Sequence, residues 1–133
     1  MSFSPLLPTD DLSFSVPLKI NEGFRSRAML NVSAMSADFT VWDDDSSGSP
    51  KDIYLVTTGA STITATLPAV SAADATAGRV VTILKIDGGA GSVTIDGDGS
   101  ETINGSATVS LSSQYDYRTI VSDGLEWIVI SST

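Results

Sequence analysis

Hydrophobic and polar residues alternate in short runs along most of the chain, and clusters of polar residues separate the runs. Within the run Ser61–Leu67, Ile63, Ala65 and Leu67 alternate with threonines. A period of two predicts a strand with one buried face, and threonine suits the exposed face of such a strand. The pattern predicts about eight short strands, at 36–42, Ile53–Thr57, Ser61–Leu67, Arg79–Ile86, Ser92–Ile95, Ala107–Leu111, Arg118–Val121 and Trp127–Ile130.

The segments between these runs have the composition of turns. Asp-Gly or Asn-Gly pairs occur at 87–88, 96–97, 98–99, 104–105 and 123–124. Such pairs favour the tight turns of β-hairpins, because both residues tolerate a positive φ. Many short strands with turns between them, and no long amphipathic helix, predict an all-β fold. The expected architecture is a small antiparallel β-sandwich or barrel over residues 36–133.

Residues 1–35 differ from the rest of the chain and predict an extended N-terminal arm. Pro5, Pro8 and Pro17 restrict the backbone and remove hydrogen-bond donors. Apolar residues alternate from Leu12 to Ile20, as in a half-buried strand. The segment is too short for a core of its own, so we expect it to dock on its own domain, a neighbouring copy or a larger partner. The predicted contact residues are the apolar anchors Phe3, Leu6, Leu7, Phe14 and Phe24.

Charge narrows the range of partners. The chain has 7 Lys+Arg and 16 Asp+Glu, a formal net charge of −9. Residues 1–35 are neutral in sum, so the whole acidic excess lies in the predicted β-domain. An acidic domain repels phosphate groups, which argues against nucleic acid and against an anionic membrane surface as partners.

The remaining composition concerns location and assembly. The N-terminus lacks the basic start and the continuous apolar stretch of a secretory signal, so we expect synthesis in the cytoplasm. No cysteine is present, which excludes disulfides and thiolate metal sites. The hydrophobic residues are largely Ala and Val, which predicts a thin core that gains stability when copies of the chain associate.

The chain offers few groups for catalysis. It has no histidine, so a general base at neutral pH would be a carboxylate or a lysine with a shifted pKa. Lys85 is expected on the solvent face of its strand, because it alternates with Leu84 and Ile86. The segments 43–45 and 96–101 contain carboxylates that Ca²⁺ could bind, but they lack a calcium-loop pattern and are interpreted as solvated turns. We therefore predict no enzyme activity and no catalytic, cofactor-binding or metal site.

The stretch from Asp52 to Ser132 resembles a short all-β module of structural proteins in tailed bacteriophages. The resemblance lies in the order of its elements, which include a strand ending in Thr-Leu-Pro, a Gly-basic-Val strand and a terminal Trp strand. In this chain the elements are Ile53–Thr57, Thr66–Pro68, Gly78–Ile83, Val93–Gly99, Glu101–Gly105, Leu111–Tyr115, Val121–Gly124 and Trp127–Ile130. Residues 1–51 fall outside the resemblance.

This resemblance implies a part of a virion, commonly a homotrimer, and no catalytic residues. The leading hypothesis is a capsid decoration (cement) or head-fibre protein on the capsid exterior, made in the host cytoplasm. Its arm would bind the major capsid protein or a neighbouring copy through the anchors named above. By covering seams of the shell, the protein would stabilise the capsid.

The alternative is a tail-fibre or adhesion protein that binds a glycan or receptor on the host surface. A glycan site would need an aromatic-lined groove, for which Tyr54, Tyr115, Tyr117 and Trp42 are the candidates. A third class, a hydrolase of cell-wall or capsule sugars, is disfavoured, because no acid/base pair stands out among the 16 acidic residues.

Overall fold

The computed structural model describes residues 29–43, 50–72 and 77–133. Within these ranges the chain forms nine β-strands and no helix, which confirms the all-β prediction. Every strand except the first overlaps a run that the sequence predicted. The strands are β1 (Val32–Met35), β2 (Phe39–Thr40), β3 (Ile53–Val56), β4 (Ile63–Thr66), β5 (Val80–Lys85), β6 (Val93–Asp96), β7 (Thr108–Leu111), β8 (Tyr117–Ser122) and β9 (Trp127–Ser132).

The strands form two mixed sheets. The five-stranded sheet has the order β1-β3-β5-β8-β9, and the four-stranded sheet has the order β2-β4-β6-β7. In each sheet the first three strands are parallel, and β7, β8 and β9 run antiparallel to their neighbours. The prediction of antiparallel sheets is therefore wrong for the first six strands.

The first six strands follow a repeating course. Each successive pair, β1–β2, β3–β4 and β5–β6, places one strand in each sheet. Each such pair is here called a coil, and each coil adds one strand to both sheets. The register continues from coil to coil: Ser33, Tyr54 and Ile83 align in one sheet, and Ala65 and Ile95 align in the other. The antiparallel strands β7 and β8 then pair with β6 and β5, the strands of the last coil.

The turns explain why a hairpin pattern was predicted for parallel strands. Asp123-Gly124 joins β8 to its antiparallel neighbour β9. Thr58-Gly59 and Asp87-Gly88 instead carry the chain from the five-stranded sheet to the four-stranded sheet. An Asp-Gly pair indicates a local reversal of the chain, and it does not specify whether the next strand pairs with the previous one.

The first strand lies within the range that the sequence assigns to the arm. β1 pairs in parallel with β3 along its whole length. Asn31 extends this pairing, because its backbone N–H donates to the Asp52 carboxylate at 2.8 Å and its carbonyl accepts from the Ile53 N–H at 3.1 Å. The compact unit that contains all the strands begins at Asn31 and ends at Thr133.

Buried side chains from both sheets form one hydrophobic cluster. Trp127 is its largest fully buried member, and the Trp42 ring packs against it at a centroid distance of 5.9 Å. The Arg79 guanidinium carbon lies 4.6 Å from the centre of the Trp42 ring. Trp42 has a φ of 67°, a strained value for a large side chain. Its backbone N–H donates to the Tyr54 hydroxyl at 2.7 Å and its indole N–H to the Lys51 carbonyl at 2.8 Å, which hold this conformation.

Candidate functional site

The β-domain offers four features with chemical or binding potential: a buried lysine, carboxylates that cap loops, a polar depression, and the outward faces of the two sheets. The contact residues predicted for the arm are not among them, because Phe3, Leu6, Leu7, Phe14 and Phe24 lie outside the described residues.

Lys85 is fully buried, so the prediction that it lies on the solvent face is wrong. It belongs to the inward row of β5, together with Val81 and Ile83. Its ammonium donates to the Asp87 carbonyl at 2.6 Å, to Asp87 Oδ1 at 3.1 Å and to the Gly89 carbonyl at 3.1 Å. These acceptors match the three N–H groups of an ammonium, so burial leaves no donor unpaired.

Asp87 connects the loops of two adjacent coils. Its Oδ1 accepts from the Thr58 backbone N–H at 2.9 Å, and its Oδ2 accepts from the Gly59 and Gly89 N–H groups at 2.9 and 3.1 Å. These donors, led by the Thr58 N–H and joined by the Lys85 ammonium, hold the pKa of the Asp87 carboxyl far below its usual range. The pair of Lys85 and Asp87 therefore stabilises the stacking of the β3–β4 coil on the β5–β6 coil.

Two further carboxylates cap turns near the closing strands. Asp116 Oδ2 accepts from the Ser113 N–H at 2.8 Å, and Asp123 Oδ1 accepts from the Glu126 N–H at 2.8 Å. The same N–H groups are the main reason why the pKa of each carboxyl is lowered. Both carboxylates are therefore ionised at neutral pH and fix the shape of their own turns.

The two acidic segments considered as cation ligands take different roles. Among the described residues, no group of three or more His, Cys, Asp or Glu side chains could hold a metal ion. Glu101 instead accepts from the Val70 backbone N–H with both carboxylate oxygens, at 3.0 and 3.1 Å. Only Asp43 of the segment 43–45 lies within the described ranges.

A shallow, open depression of about 470 Å³ lies at β2, the edge strand of the four-stranded sheet. One of its carboxylates is already engaged, because Asp38 Oδ1 accepts from the Thr64 backbone N–H at 2.8 Å. The carboxylate and hydroxyl oxygens can accept hydrogen bonds from a polar ligand such as a sugar. The lining residues are Asp38, Phe39, Thr40, Asp43, Thr64 and Thr66.

The four aromatic residues predicted as glycan candidates divide between core and surface. Trp42 and Tyr54 are buried, and the Tyr54 ring stacks on the Phe39 ring at a centroid distance of 4.8 Å. Tyr115 is 62% exposed, and Tyr117 is half-buried. Trp42 and Tyr54 are therefore wrong as candidates for a surface glycan site, since both serve the core.

The outward faces of the two sheets have opposite chemistry. The outward row of the four-stranded sheet, here called the threonine face, is polar. It comprises Thr40, Thr64, Thr66, Thr94, Asp96, Thr108 and Ser110. The outward row of the five-stranded sheet, here called the apolar face, carries no charged side chain. It comprises Val32, Ala34, Ile53, Leu55, Val80, Thr82, Leu84, Tyr117, Thr119, Val121, Ile128 and Ser131.

The hydroxyl groups on the apolar face pair with hydroxyl groups of the same sheet. Thr82 Oγ1 and Thr119 Oγ1 are 2.9 Å apart, and Tyr117 Oη lies 3.0 Å from Ser131 Oγ. The sequence reasoning missed this face. The signal available was the uninterrupted apolar run Ile53–Val56, in which neither side of the strand is polar.

No protein-family model matches the sequence, and no curated protein matches it. No helix within the described ranges is long and apolar enough to cross a membrane. The resemblance to a bacteriophage module therefore rests on the order of sequence elements between Asp52 and Ser132.

Proposed function

We propose that this chain is a structural protein of a tailed-bacteriophage virion, a capsid decoration or head-fibre protein on the capsid exterior. One observation carries the proposal. Among the described residues, the carboxylates with lowered pKa values and the buried lysine all bind backbone groups of the fold itself. They are Asp87, Asp116, Asp123 and Lys85. Catalytic sites place such groups in a cleft, where they face a substrate. Groups that hold their own loops instead suit a rigid scaffold.

In this proposal the two sheets form a sandwich-like domain that projects outward, and the N-terminal segment is an extended docking arm. The arm binds the major capsid protein through Phe3, Leu6, Leu7, Phe14 and Phe24. Burial of roughly 300 Å² of apolar surface at ~25 cal/mol per Å² would contribute about 7 kcal/mol, before the cost of ordering the arm. Copies joined in a homotrimer would add their arms through avidity.

Co-sedimentation with capsids tests the proposal. Capsids of the encoding phage that lack this protein are mixed with the full chain or with a variant that lacks residues 1–28. We expect the full chain to pellet with the capsids and the shortened chain to remain in the supernatant. Binding by the shortened chain would remove the docking role of the arm.

A substitution pair separates the apolar anchors from the mere length of the arm. In one variant the five anchors are replaced by serine, and in the matched control Ser4, Thr9 and Ser13 are replaced by alanine. The control should bind like the full chain and the anchor variant should not. Circular dichroism establishes that the β-domain of each variant is folded.

A second candidate is a tail-fibre or adhesion protein that binds a host glycan or receptor. The observation that favours it is the depression at β2, which Asp43 and three threonines line together with Phe39. A glycan array with the full chain and an Asp43→Asn variant tests it, with Thr94→Ala as a control on the same sheet. Binding lost only in the Asp43 variant would support adhesion, and the absence of any bound glycan would argue against a glycan ligand.

A further inference from the structure

The apolar face has the sequence of a buried surface. Parallel strands in folded proteins are nearly always covered on both sides, and they are then apolar at consecutive positions. β3 reads Ile-Tyr-Leu-Val and β5 reads Val-Val-Thr-Ile-Leu-Lys. In contrast, β4 and β6 read Ile-Thr-Ala-Thr and Val-Thr-Ile-Asp, the alternation of a sheet with one solvated side. The five-stranded sheet thus has the composition of a sheet with a cover on its outward side.

The outward side chains of this sheet are exposed or half-buried on all five strands, and none is fully buried. Val32 on the edge strand β1 is 51% exposed, and Val80 on the central strand β5 is 39% exposed. Ile130, at the register shift of the other edge strand, β9, is 57% exposed. Apolar exposure across a whole sheet is unusual for a monomer and marks an interaction surface.

Desolvation of this face costs little. A hydroxyl group that loses water without gaining a partner is expensive to bury. Here the hydroxyl groups of Thr82 and Thr119 bond to each other, and the Tyr117 hydroxyl bonds to Ser131. A covering partner therefore needs to supply mainly apolar contact, with an acceptor for the one hydroxyl donor that each pair leaves unused.

Charge indicates which partner fits. The chain has a formal net charge of −9, so two copies repel each other wherever their acidic surfaces meet. The apolar face carries no charged side chain, whereas Asp96 lies within the threonine face. Two copies can therefore meet at the apolar face without opposing like charges. A basic partner would be drawn to the acidic surfaces instead.

We infer that the apolar face is the surface through which copies of this chain associate. The inference rests on the part of the proposed function in which copies form an oligomer, and it is independent of docking on a capsid. Each copy offers the same uncharged surface, so two such faces meet without opposing like charges in any closed symmetric oligomer.

The size of the face limits how much of a stable interface it can supply. Strands of four to six residues, five abreast, give an outline of about 24 by 17 Å, or roughly 400 Å². Stable interfaces bury about 800 Å² per partner. A pair that covers the whole face of each copy therefore buries about half of this area, and a stable oligomer needs further contact beyond the outward row.

Sedimentation velocity on the full chain with a matched pair of variants tests the inference. Leu84 lies on the central strand of the apolar face between Leu55 and Tyr117, and Thr94 lies on an inner strand of the threonine face between Thr64 and Ser110. We expect the wild type and Thr94→Glu to sediment as oligomers at micromolar concentration and Leu84→Glu to sediment as a monomer, because the new charge would be buried without a partner. A monomeric wild type, or an oligomeric Leu84→Glu variant, overturns the inference.

A chemical measurement covers the case in which Leu84→Glu fails to fold. The chain has no cysteine, so Thr119→Cys and Thr94→Cys each carry a single thiol. In the oligomer, Thr119→Cys should react with a maleimide at least about tenfold more slowly than Thr94→Cys, since its thiol is covered. Equal rates overturn the inference. A chain that is monomeric yet binds capsids would overturn this inference alone, and an oligomer that ignores capsids would overturn only the docking role.

Discussion

The Lys85 ammonium lies 3.1 Å from the Asp87 carboxylate and 2.6 Å from the carbonyl of the same residue. The lysine side chain is fully buried, while the aspartate side chain is 20% exposed. A buried ammonium without partners would be strongly destabilising. Asp87 therefore stabilises the buried charge of Lys85. The same hydrogen bonds fix the backbone where the chain leaves β5 and the five-stranded sheet.

Replacement of Lys85 by methionine should lower the free energy of unfolding by about 2 kcal/mol, because the Asp87 and Gly89 carbonyls lose a buried donor. Urea denaturation measures the change. The matched control is Lys51→Met, which alters the other lysine of the β-domain and should change stability by less than about 0.5 kcal/mol. Equal losses in the two variants would contradict the structural role of Lys85.

Acid should destabilise the domain at pH values below the ordinary carboxyl pKa. The folded state lowers the pKa of Asp87, Asp116 and Asp123, so the unfolded chain takes up protons first as the pH falls. Their contribution to stability is complete above a pH of about 5 and declines from about pH 4 downward. The urea midpoint should therefore be level from neutral pH to about pH 5 and then drop.

A pair of variants assigns this acid sensitivity. Asp87→Asn should reduce the slope of stability against pH below about pH 4, because the pKa of Asp87 is lowered far below its usual range. The control is Asp98→Asn, the same change of charge at an exposed turn residue, and the slope should fall more in the Asp87 variant than in this control. A wild-type slope in the Asp87 variant would place the acid sensitivity elsewhere.

Gly91→Ala should destabilise the domain by about 3 kcal/mol. The added methyl group would overlap the backbone carbonyl of Ser61, which cannot move without disturbing the coil. Gly88→Ala in the same loop is the control, because its methyl group would meet only the flexible Gln114 side chain, at 3.4 Å. Thermal unfolding compares the two variants, and a Gly88 variant as unstable as the Gly91 variant would refute the steric explanation.

Arg79→Leu should lower the free energy of unfolding by about 1 kcal/mol, the usual size of a cation–π contact with tryptophan that is partly shielded from water. The guanidinium lies 4.6 Å from the Trp42 ring centre, and the ring in turn packs on Trp127. Arg79→Lys keeps the charge and should retain part of this energy. Tryptophan fluorescence during urea denaturation follows the relevant rings directly.

The strands were predictable because their apolar side chains recur at a period of two, and every predicted run from 36–42 to Trp127–Ile130 overlaps an observed strand. β1 was harder to find. Its sequence, Val-Ser-Ala-Met, has small side chains and an exposed first residue, and it gains its strand form from pairing with β3. The parallel pairing was beyond the sequence signal, because alternation reports burial and not the direction of a neighbour.

Lys85 shows where alternation becomes ambiguous. Both rows of β5 are apolar, so the sequence does not show whether the row of Leu84 or the row of Ile83 faces inward. The prediction placed Lys85 in the outward row, whereas it lies in the inward row with Ile83. The acceptor-rich segment Asp87–Gly89, directly after the strand, is the local feature that makes burial of an ammonium feasible. The apolar face was missed for the same reason, since two apolar rows indicate two covered sides only once the strand is known to be parallel.

The alternation of each coil between two sheets makes the domain extensible. Within the described residues, strands β7, β8 and β9 pair with the parallel strands only at β5 and β6, so an added coil upstream would leave the pairing of the closing strands unchanged. Each duplication of a segment of roughly 20–30 residues would lengthen both sheets by one strand spacing of about 4.8 Å. The width of both sheets is thus adjustable in discrete steps, without redesign of the closing strands.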